Sequence, residues 1–137
     1  MTEIEILYKG NLATEALHKE SGAKLLTDAP KDNQGKGENF SPTDLVGVAL
    51  GSCVLTLMGI VAKRLGVDLA GSKVLLTKEM ASLPLRRIAK LTLFISCPRS
   101  FDENIRVQLE KAGKLCPVHQ SLHPDIVQEF HFTWGRT

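Results

Sequence analysis

The chain has 137 residues and a formal net charge of +2, with 43% hydrophobic and 23% charged residues. These values predict a single globular domain over residues 1–137 with a modest core. So small a charge, spread along the chain, gives no reason to expect binding to nucleic acid or to an anionic membrane. The acidic start MTEIEILYKG has neither the basic nor the apolar segment of a signal peptide, so we expect a cytoplasmic protein.

Alternation of apolar and polar residues over the first 27 positions predicts a β-meander. Ile4, Ile6 and Tyr8 alternate with Glu3, Glu5 and Leu7. Turn-forming residues follow at positions 9–11 and 20–22. The next segment, DAPKDNQGKGEN, is a polar loop rich in glycine. It lacks the spacing of a P-loop, which favours a flexible surface loop or a site lid over a phosphate cradle.

The longest apolar stretch, Ser41–Gly66, predicts a central helix. Ser41 suits the N-cap, Pro42 the first helical position and Gly66 a left-handed position after the last turn. Positions 45–62 contain no charged residue, which is long enough for a membrane span. Several small residues dilute the hydrophobicity, which favours a helix buried on all sides in a protein core. The spacing of Gly47, Gly51 and Gly59 is expected to let another helix or sheet approach closely.

The second half of the chain predicts two strands, a helix and a final strand. The strands are 73–81, 88–97 and 128–134, and the helix begins near Ser100 and carries Cys116 at the end of its apolar stripe. The order βββ-α-ββ-α-β is that of an α+β domain. Cys97 lies on the apolar face of its strand, so we expect it to be a small core residue.

Three cysteines, at positions 53, 97 and 116, form neither a disulfide framework nor a C-x-x-C motif. Buried cysteine is common, and core packing alone accounts for such residues. A thiol peroxidase needs an attacking thiolate and a second thiol that condenses with the sulfenic acid. Cys53 and Cys116, both predicted on helices, are the candidates for these roles.

A zinc site is the alternative use of Cys116. Cys116, His119 and His123 follow the pattern C-x-x-H-x-x-x-H, which zinc would accept with a fourth ligand from elsewhere. Pro117 and Pro124 disturb the helical register that would align these side chains. We therefore predict no metal.

Two segments, FSPTDLVGVALGSCV at 40–54 and LCPVHQSL at 115–122, resemble the OsmC/Ohr family of osmotically inducible and organic hydroperoxide resistance proteins. The loop before the central helix resembles the broader OsmC-like branch more than the Ohr branch. The resemblance implies an α+β, OsmC-like fold that forms an intertwined homodimer, with two sites at the subunit interface that reduce organic hydroperoxides. It further implies that Cys53 is the peroxidatic and Cys116 the resolving cysteine. By the same resemblance we expect an external dithiol to reduce their disulfide, with no metal or organic cofactor.

The sequence departs from the Ohr pattern around the attacking thiol. Ohr members activate it with an arginine from the N-terminal strands and a glutamate at the start of the central helix. Residues 1–39 contain no arginine, and the glutamate position holds Thr43, followed by Asp44. Asp44 precedes Cys53 by nine residues and so faces the opposite side of the helix, which leaves only the Asp44 of a partner subunit within reach.

Arg86 and Arg87 are possible substitutes for the missing arginine, although a surface pair in a turn is the simpler interpretation. We therefore expect a cytoplasmic, homodimeric, thiol-dependent peroxidase acting on organic hydroperoxides. The alternative is a catalytically weak OsmC-like protein that binds an apolar small molecule at the dimer cleft. The missing N-terminal arginine favours this alternative.

Overall fold

The computed structural model describes residues 1–135, which form an α+β fold with two three-stranded sheets. The elements, in chain order, are β1 (Ile4–Gly10), β2 (Ala13–His18), β3 (Lys24–Asp28), α1 (Pro42–Leu65), β4 (Lys73–Ala81), β5 (Arg87–Cys97), α2 (Glu103–Lys114), α3 (Pro117–Ser121) and β6 (Val127–Trp134). The predicted order is confirmed, with the short α3 as an addition. The chain divides into two compact units, Met1–Val46 and the residues from Gly47 onwards. That the chain is one domain stays a prediction.

The first unit contains the predicted β-meander, in the order β1-β2-β3 with antiparallel neighbours. Gly10 and Gly22 turn the chain at the two ends of β2, with φ of 89° and 78°, which glycine adopts without steric cost. Strand β1 leaves four large apolar side chains exposed, namely Ile4, Ile6, Leu7 and Tyr8.

The loop between β3 and α1 is closed by its own hydrogen bonds. The amide of Gly35 donates to the Pro30 carbonyl at 2.9 Å, and that of Gly37 to the Ala29 carbonyl at 3.3 Å. The amide of Glu38 donates to the carboxylate of Asp28 at 3.2 Å. Because these amides are used within the loop, they are not directed at a phosphate.

Helix α1 begins and ends as its sequence predicts. The Ser41 hydroxyl accepts the Asp44 amide at 3.0 Å, and the Asp44 carboxylate accepts the Ser41 amide at 2.9 Å, which makes a capping box. At the other end Gly66 has φ of 73°. Its amide donates to the Lys63 carbonyl, and the next amide donates to that of Ala62, as in a Schellman motif.

The second unit packs α1 and α2 against a sheet of order β4-β5-β6. Strands β4 and β5 are antiparallel, whereas β5 and β6 are parallel. The predicted apolar face of β5 is buried, and Cys97 is a core residue, only 1% exposed. The core side chains of this unit are Leu50, Val54, Met58, Ala62, Ile88, Leu91, Leu93, Ile95, Cys97, Leu109, Ala112 and Cys116.

Small residues let α1 approach its neighbours closely, as predicted. A Cβ atom on Gly47 would lie 2.6 Å from Leu76 Cδ2, and one on Gly51 would lie 3.5 Å from Val74 Cγ1. Helix α1 therefore packs against β4 and runs antiparallel to it. On another side, a Cβ on Gly113 of α2 would lie 3.0 Å from a Val54 methyl group.

The prediction that α1 is buried on all sides is wrong for the single chain. Its buried residues form one stripe, while Val48 is 44% and Ile60 52% exposed. One sheet and one helix cover only part of the helix surface, which leaves an apolar side in contact with solvent. By length and hydropathy alone α1 would suffice to cross a membrane, with a mean hydropathy of 2.3 over 18 residues, 33% of them buried.

The helix predicted to carry Cys116 ends before that residue. Helix α2 stops at Lys114, and Cys116 is the N-cap of α3. The cause is Pro117, which disfavours helical backbone at the residue before it. The start also differs, since the carboxylate of Asp102, and not Ser100, caps α2 by accepting the Ile105 amide at 3.0 Å.

Candidate active site

Cys53 and Cys116 lie next to each other in the second unit, with their thiols hydrogen-bonded. Cys53 is partly exposed near the middle of α1, whereas Cys116 is fully buried. The contact depends on the close packing of α2 on α1. Gly113 of α2 lies against Val54, the residue after Cys53, and against Met58, one helical turn further along α1. The two candidate cysteines, 63 positions apart, are thus brought together by helix packing.

The sulfur of Cys116 is held by the backbone of α3. As the N-cap residue, Cys116 accepts the backbone amide of His119 at 3.3 Å. Pro117 follows at the first helical position, where its missing amide hydrogen leaves no donor unsatisfied. The sulfur therefore occupies the position that a serine or aspartate oxygen takes at other helix N-termini.

Burial raises the pKa of the Cys116 thiol, and the hydrogen bond with Cys53 raises it further. The amide of His119 acts in the opposite direction, and a negative charge on Cys53 adds to the increase. Burial and the contact with Cys53 both favour the protonated form of Cys116, which suits a resolving thiol better than an attacking one.

The surface of α1 around Cys53 is apolar except for Ser52 and Thr56. Ala49 and Leu57 lie one turn before and after it on the same face, and Ile60 lies nearly two turns after it. Ala49 and Ile60 are exposed, and Leu57 is partly buried. An oxidant that reaches Cys53 would meet hydrocarbon on the helix to either side.

Gln128, on β6, is a contact of this site that the sequence did not indicate. Its side-chain oxygen is hydrogen-bonded to Nδ1 of His119, and its Nε2 donates to the His119 carbonyl at 3.3 Å. The His119 ring packs edge-on against Phe130, with the ring centroids 5.2 Å apart. The three-residue spacing from Cys116 to His119 does indicate the amide–sulfur bond, but no local pattern links α3 to Gln128.

The alternative zinc ligands are not gathered into a site. Among residues 1–135, no three His, Cys, Asp or Glu side chains are grouped closely enough to hold a metal ion. His119 is occupied by Gln128, and His123 accepts the amide of Asp125 at 3.0 Å.

Thr43 and Asp44 lie in the first turn of α1. The Asp44 carboxylate accepts the Ser41 amide, and the Thr43 hydroxyl is 3.2 Å from that of Ser41. These contacts stabilise the start of the helix.

Arg86 lies in the connection between β4 and β5, and Arg87 is the first residue of β5. Both are exposed, and Arg87 Nη1 donates to the Ile88 carbonyl at 3.4 Å. Helix α1 contacts Val74 of β4 through Gly51, which is two residues before Cys53. From Val74 to the end of β4 the strand advances roughly 23 Å, at about 3.3 Å per residue. The structure therefore does not bring these arginines to the Cys53 of their own chain.

Solved structures share this fold along nearly the whole chain. A protein from Psychrobacter arcticus 273-4, provisionally described as an osmotic stress induced and detoxification response protein, is 42% identical with a TM-score of 0.92 over 96% of both chains. An OsmC-like protein from Mycoplasma pneumoniae is 15% identical, with a TM-score of 0.81 over 98% of this chain and 96% of its own. The organic hydroperoxide resistance protein OsmC from Legionella pneumophila is 14% identical, with a TM-score of 0.77 over 97% and 96%.

No curated protein sequence is a significant match to the chain. The family model described as OsmC-like protein matches residues 35–130, which is more than half of the chain and includes all of α1. The apolar central helix is therefore an integral part of the domain that this family shares. The resemblance seen in the sequence is confirmed, and the chain belongs to the OsmC-like protein family.

Proposed function

We propose that this protein is a thiol-dependent peroxidase that reduces organic hydroperoxides in defence against oxidative stress. The observation that carries the proposal is the hydrogen bond between a buried Cys116 thiol and a partly exposed Cys53. A peroxidase of this kind needs an accessible sulfur that can hold negative charge and a second thiol within bonding reach. Further support comes from the Legionella neighbour of the same fold, which is described as an organic hydroperoxide resistance protein.

In the first step the Cys53 thiolate attacks the terminal peroxide oxygen. A sulfur–oxygen bond forms, the oxygen–oxygen bond breaks, and the alkoxide takes a proton and leaves as an alcohol. Cys53 is oxidised to sulfenic acid and the peroxide is reduced by two electrons.

In the second step Cys116 attacks the sulfur of the sulfenic acid. The new disulfide displaces hydroxide, which leaves as water with the proton of the Cys116 thiol. An external dithiol then reduces the disulfide by exchange and is itself oxidised. Thiols and peroxide supply every atom and electron of this cycle, so it involves no metal or organic cofactor.

The working unit in this proposal is an intertwined homodimer with its two sites at the subunit interface. The exposed apolar side of α1, with Val48 and Ile60, and the exposed apolar residues of β1 support the proposal. Polar or charged support for Cys53 would then come from the second copy, for which Thr43, Asp44, Arg86 and Arg87 are the candidates.

A reducing compartment suits this chemistry, so we place the protein in the cytoplasm. The three cysteines are free thiols, as such a compartment would keep them.

The second candidate function is binding of an apolar small molecule by a catalytically weak OsmC-like protein. It is favoured by the lack of arginine in residues 1–39 and by the distance of Arg86 and Arg87 from Cys53 within one chain.

Titration of the reduced protein with cumene hydroperoxide, followed by thiol counting, distinguishes the two functions. A peroxidase loses two of its three thiols as one equivalent of peroxide is consumed. Retention of all three thiols in the presence of excess peroxide would reject the peroxidase and leave the binding function.

A further inference from the structure

Gln128 connects α3 to the sheet of the second unit by two hydrogen bonds, both to His119. Its Nε2 donates to the His119 carbonyl, which fixes the orientation of the amide group. The oxygen of the amide then faces the ring, so Nδ1 of His119 must carry the hydrogen and donate it. Gln128 therefore holds His119 both by its main chain and by its side chain.

His119 is also the residue whose backbone amide donates to the sulfur of Cys116. Helix α3 has five residues, too few for a stable isolated helix, so its position depends on contacts with the rest of the fold. Phe130, two residues after Gln128 on the same strand, packs against the His119 ring. A continuous chain of contacts thus runs from β6 through His119 to the Cys116 sulfur.

We propose that Gln128 is a positioning residue that, through His119, holds the Cys116 sulfur in place for attack on Cys53. The inference rests on the proposed function, since the attack is the second step of that cycle. In it the Cys116–Cys53 sulfur bond forms, the sulfur–oxygen bond of the sulfenic acid breaks, and water leaves.

Positioning matters here because two reactions compete for the sulfenic acid. Attack by Cys116 gives the disulfide, whereas a second peroxide oxidises Cys53 to sulfinic acid and inactivates it. A misplacement of about 1 Å can slow a step between held groups by up to about 100-fold. A loosened Cys116 therefore increases the yield of sulfinic acid without changing the first oxidation.

The test variant is Gln128→Met, which keeps the length of the side chain and removes both hydrogen bonds. Its matched control is Gln120→Met, the same change at an exposed position of α3. In single-turnover experiments with cumene hydroperoxide, we expect the first oxidation of Cys53 at the wild-type rate in both. Disulfide formation should be about tenfold slower in Gln128→Met only, with a matching increase in sulfinic acid by mass spectrometry.

A double-mutant cycle distinguishes positioning from a general loss of stability. His119→Phe keeps the backbone amide and the aromatic contact but loses the donor to Gln128. If the two residues act as a unit, the double variant closes the disulfide no more slowly than the slower single variant. If Gln128→Met fails to fold, the rate of disulfide formation in His119→Phe tests the proposal instead.

The pH profile gives a second readout. Among the described residues, the titratable side chain that acts on the Cys116 sulfur is that of Cys53 from α1, whereas His119 and Val118 from α3 act through their backbone amides. Loss of the amide–sulfur bond removes a contact that favours the thiolate, so the midpoint of the closing step should move to higher pH in Gln128→Met. A variant that is merely less stable would keep the wild-type midpoint.

A peroxide-independent reaction separates this inference from the proposed function. In a Cys97→Ala background, dithiobis(nitrobenzoate) forms a mixed disulfide on Cys53, and Cys116 then displaces the second nitrobenzoate thiolate and loses its proton. Slower release of that second thiolate in Gln128→Met supports the inference, even if wild-type protein fails to react with hydroperoxide. Equal release in Gln128→Met, Gln120→Met and the parent would overturn it.

Discussion

The thiols of Cys53 and Cys116 are hydrogen-bonded to each other, so the two cysteines are in contact before any oxidant arrives. Cys116 is fully buried and Cys53 is partly exposed. This asymmetry assigns a different expected behaviour to each thiol.

Replacement of Cys116 by serine should leave the first oxidation intact and block the second step. Without a resolving thiol, Cys53 stays as sulfenic acid and is oxidised to sulfinic or sulfonic acid within a few turnovers. Mass spectrometry of the peroxide-treated variant would detect the added oxygens. Cys53→Ser, the matched variant, should consume no peroxide, and a wild-type disulfide that includes Cys97 would contradict both assignments.

Disulfide formation should accelerate with pH up to and beyond the ordinary cysteine range, roughly pH 8.5. Burial raises the pKa of Cys116, so the thiol keeps its proton to higher pH and the attacking thiolate becomes abundant only there. Once Cys53 has become a sulfenic acid, a negative charge on Cys53 no longer raises the pKa of Cys116. Burial still raises it. Stopped-flow measurement of the closing step would test the sign, and a rate that levels off below pH 7 would contradict it.

Bulky organic hydroperoxides should be reduced more efficiently than hydrogen peroxide. Ala49, Leu57 and Ile60 surround Cys53 on α1 with apolar surface, and burial of an alkyl tail contributes about 25 cal/mol per Å². Hydrogen peroxide gains nothing from such contacts. Comparison of kcat/KM for cumene hydroperoxide and hydrogen peroxide is the measurement. Ile60→Ser should reduce the ratio of kcat/KM for cumene hydroperoxide to that for hydrogen peroxide. A kcat/KM for hydrogen peroxide that equals or exceeds that for cumene hydroperoxide would refute the prediction.

The protein should be an obligate dimer, because α1 leaves Val48 and Ile60 exposed in the single chain. Val48→Asp would place a charge in the core shared by the two subunits and should prevent both association and folding. Sedimentation at low micromolar concentration, together with circular dichroism, would measure both. A folded wild-type monomer under these conditions would count against the dimer.

Gly113→Ala should destabilise the protein by about 1–2 kcal/mol, because the new methyl group would press on the buried side chains of Val54 and Met58. Urea unfolding of the reduced protein would give the free energy of unfolding. In the comparison variant, Gly59→Ala, the added Cβ meets nothing within 4 Å in the single chain, so a loss of stability there would indicate a contact made by the dimer.

Features with local causes were the ones that the sequence predicted well. The N-cap at Ser41 and the left-handed Gly66 depend on residues within one turn of each helix end. The buried face of β5 follows from strict alternation. Cys53 and Cys116 were chosen as a pair from their predicted helices, the family resemblance gave each a role, and the structure brings them together.

Features that depend on distant parts of the chain were missed or misplaced. One error had a local cause: the apolar spacing was followed past the break that Pro117 imposes, and Cys116 lies at a helix cap instead of on a helix face. The bond from Gln128 to His119 joins a strand to a helix nine positions earlier, and no periodicity links them. The exposed side of α1 depends on how much surface one sheet and one helix can cover, which hydrophobicity alone does not reveal.

Because β5 and β6 are parallel, a disulfide between Cys53 and Cys116 would constrain some strands of this sheet and not others. Parallel neighbours need a long crossover, and Cys116 lies on it, after α2 and before β6. Once formed, the disulfide encloses β4, β5 and α2 in a covalent ring and leaves β6 outside. Since ring closure reduces the entropy of the unfolded chain, oxidation should slow hydrogen exchange within the ring, with β6 as the first strand of its own sheet to open.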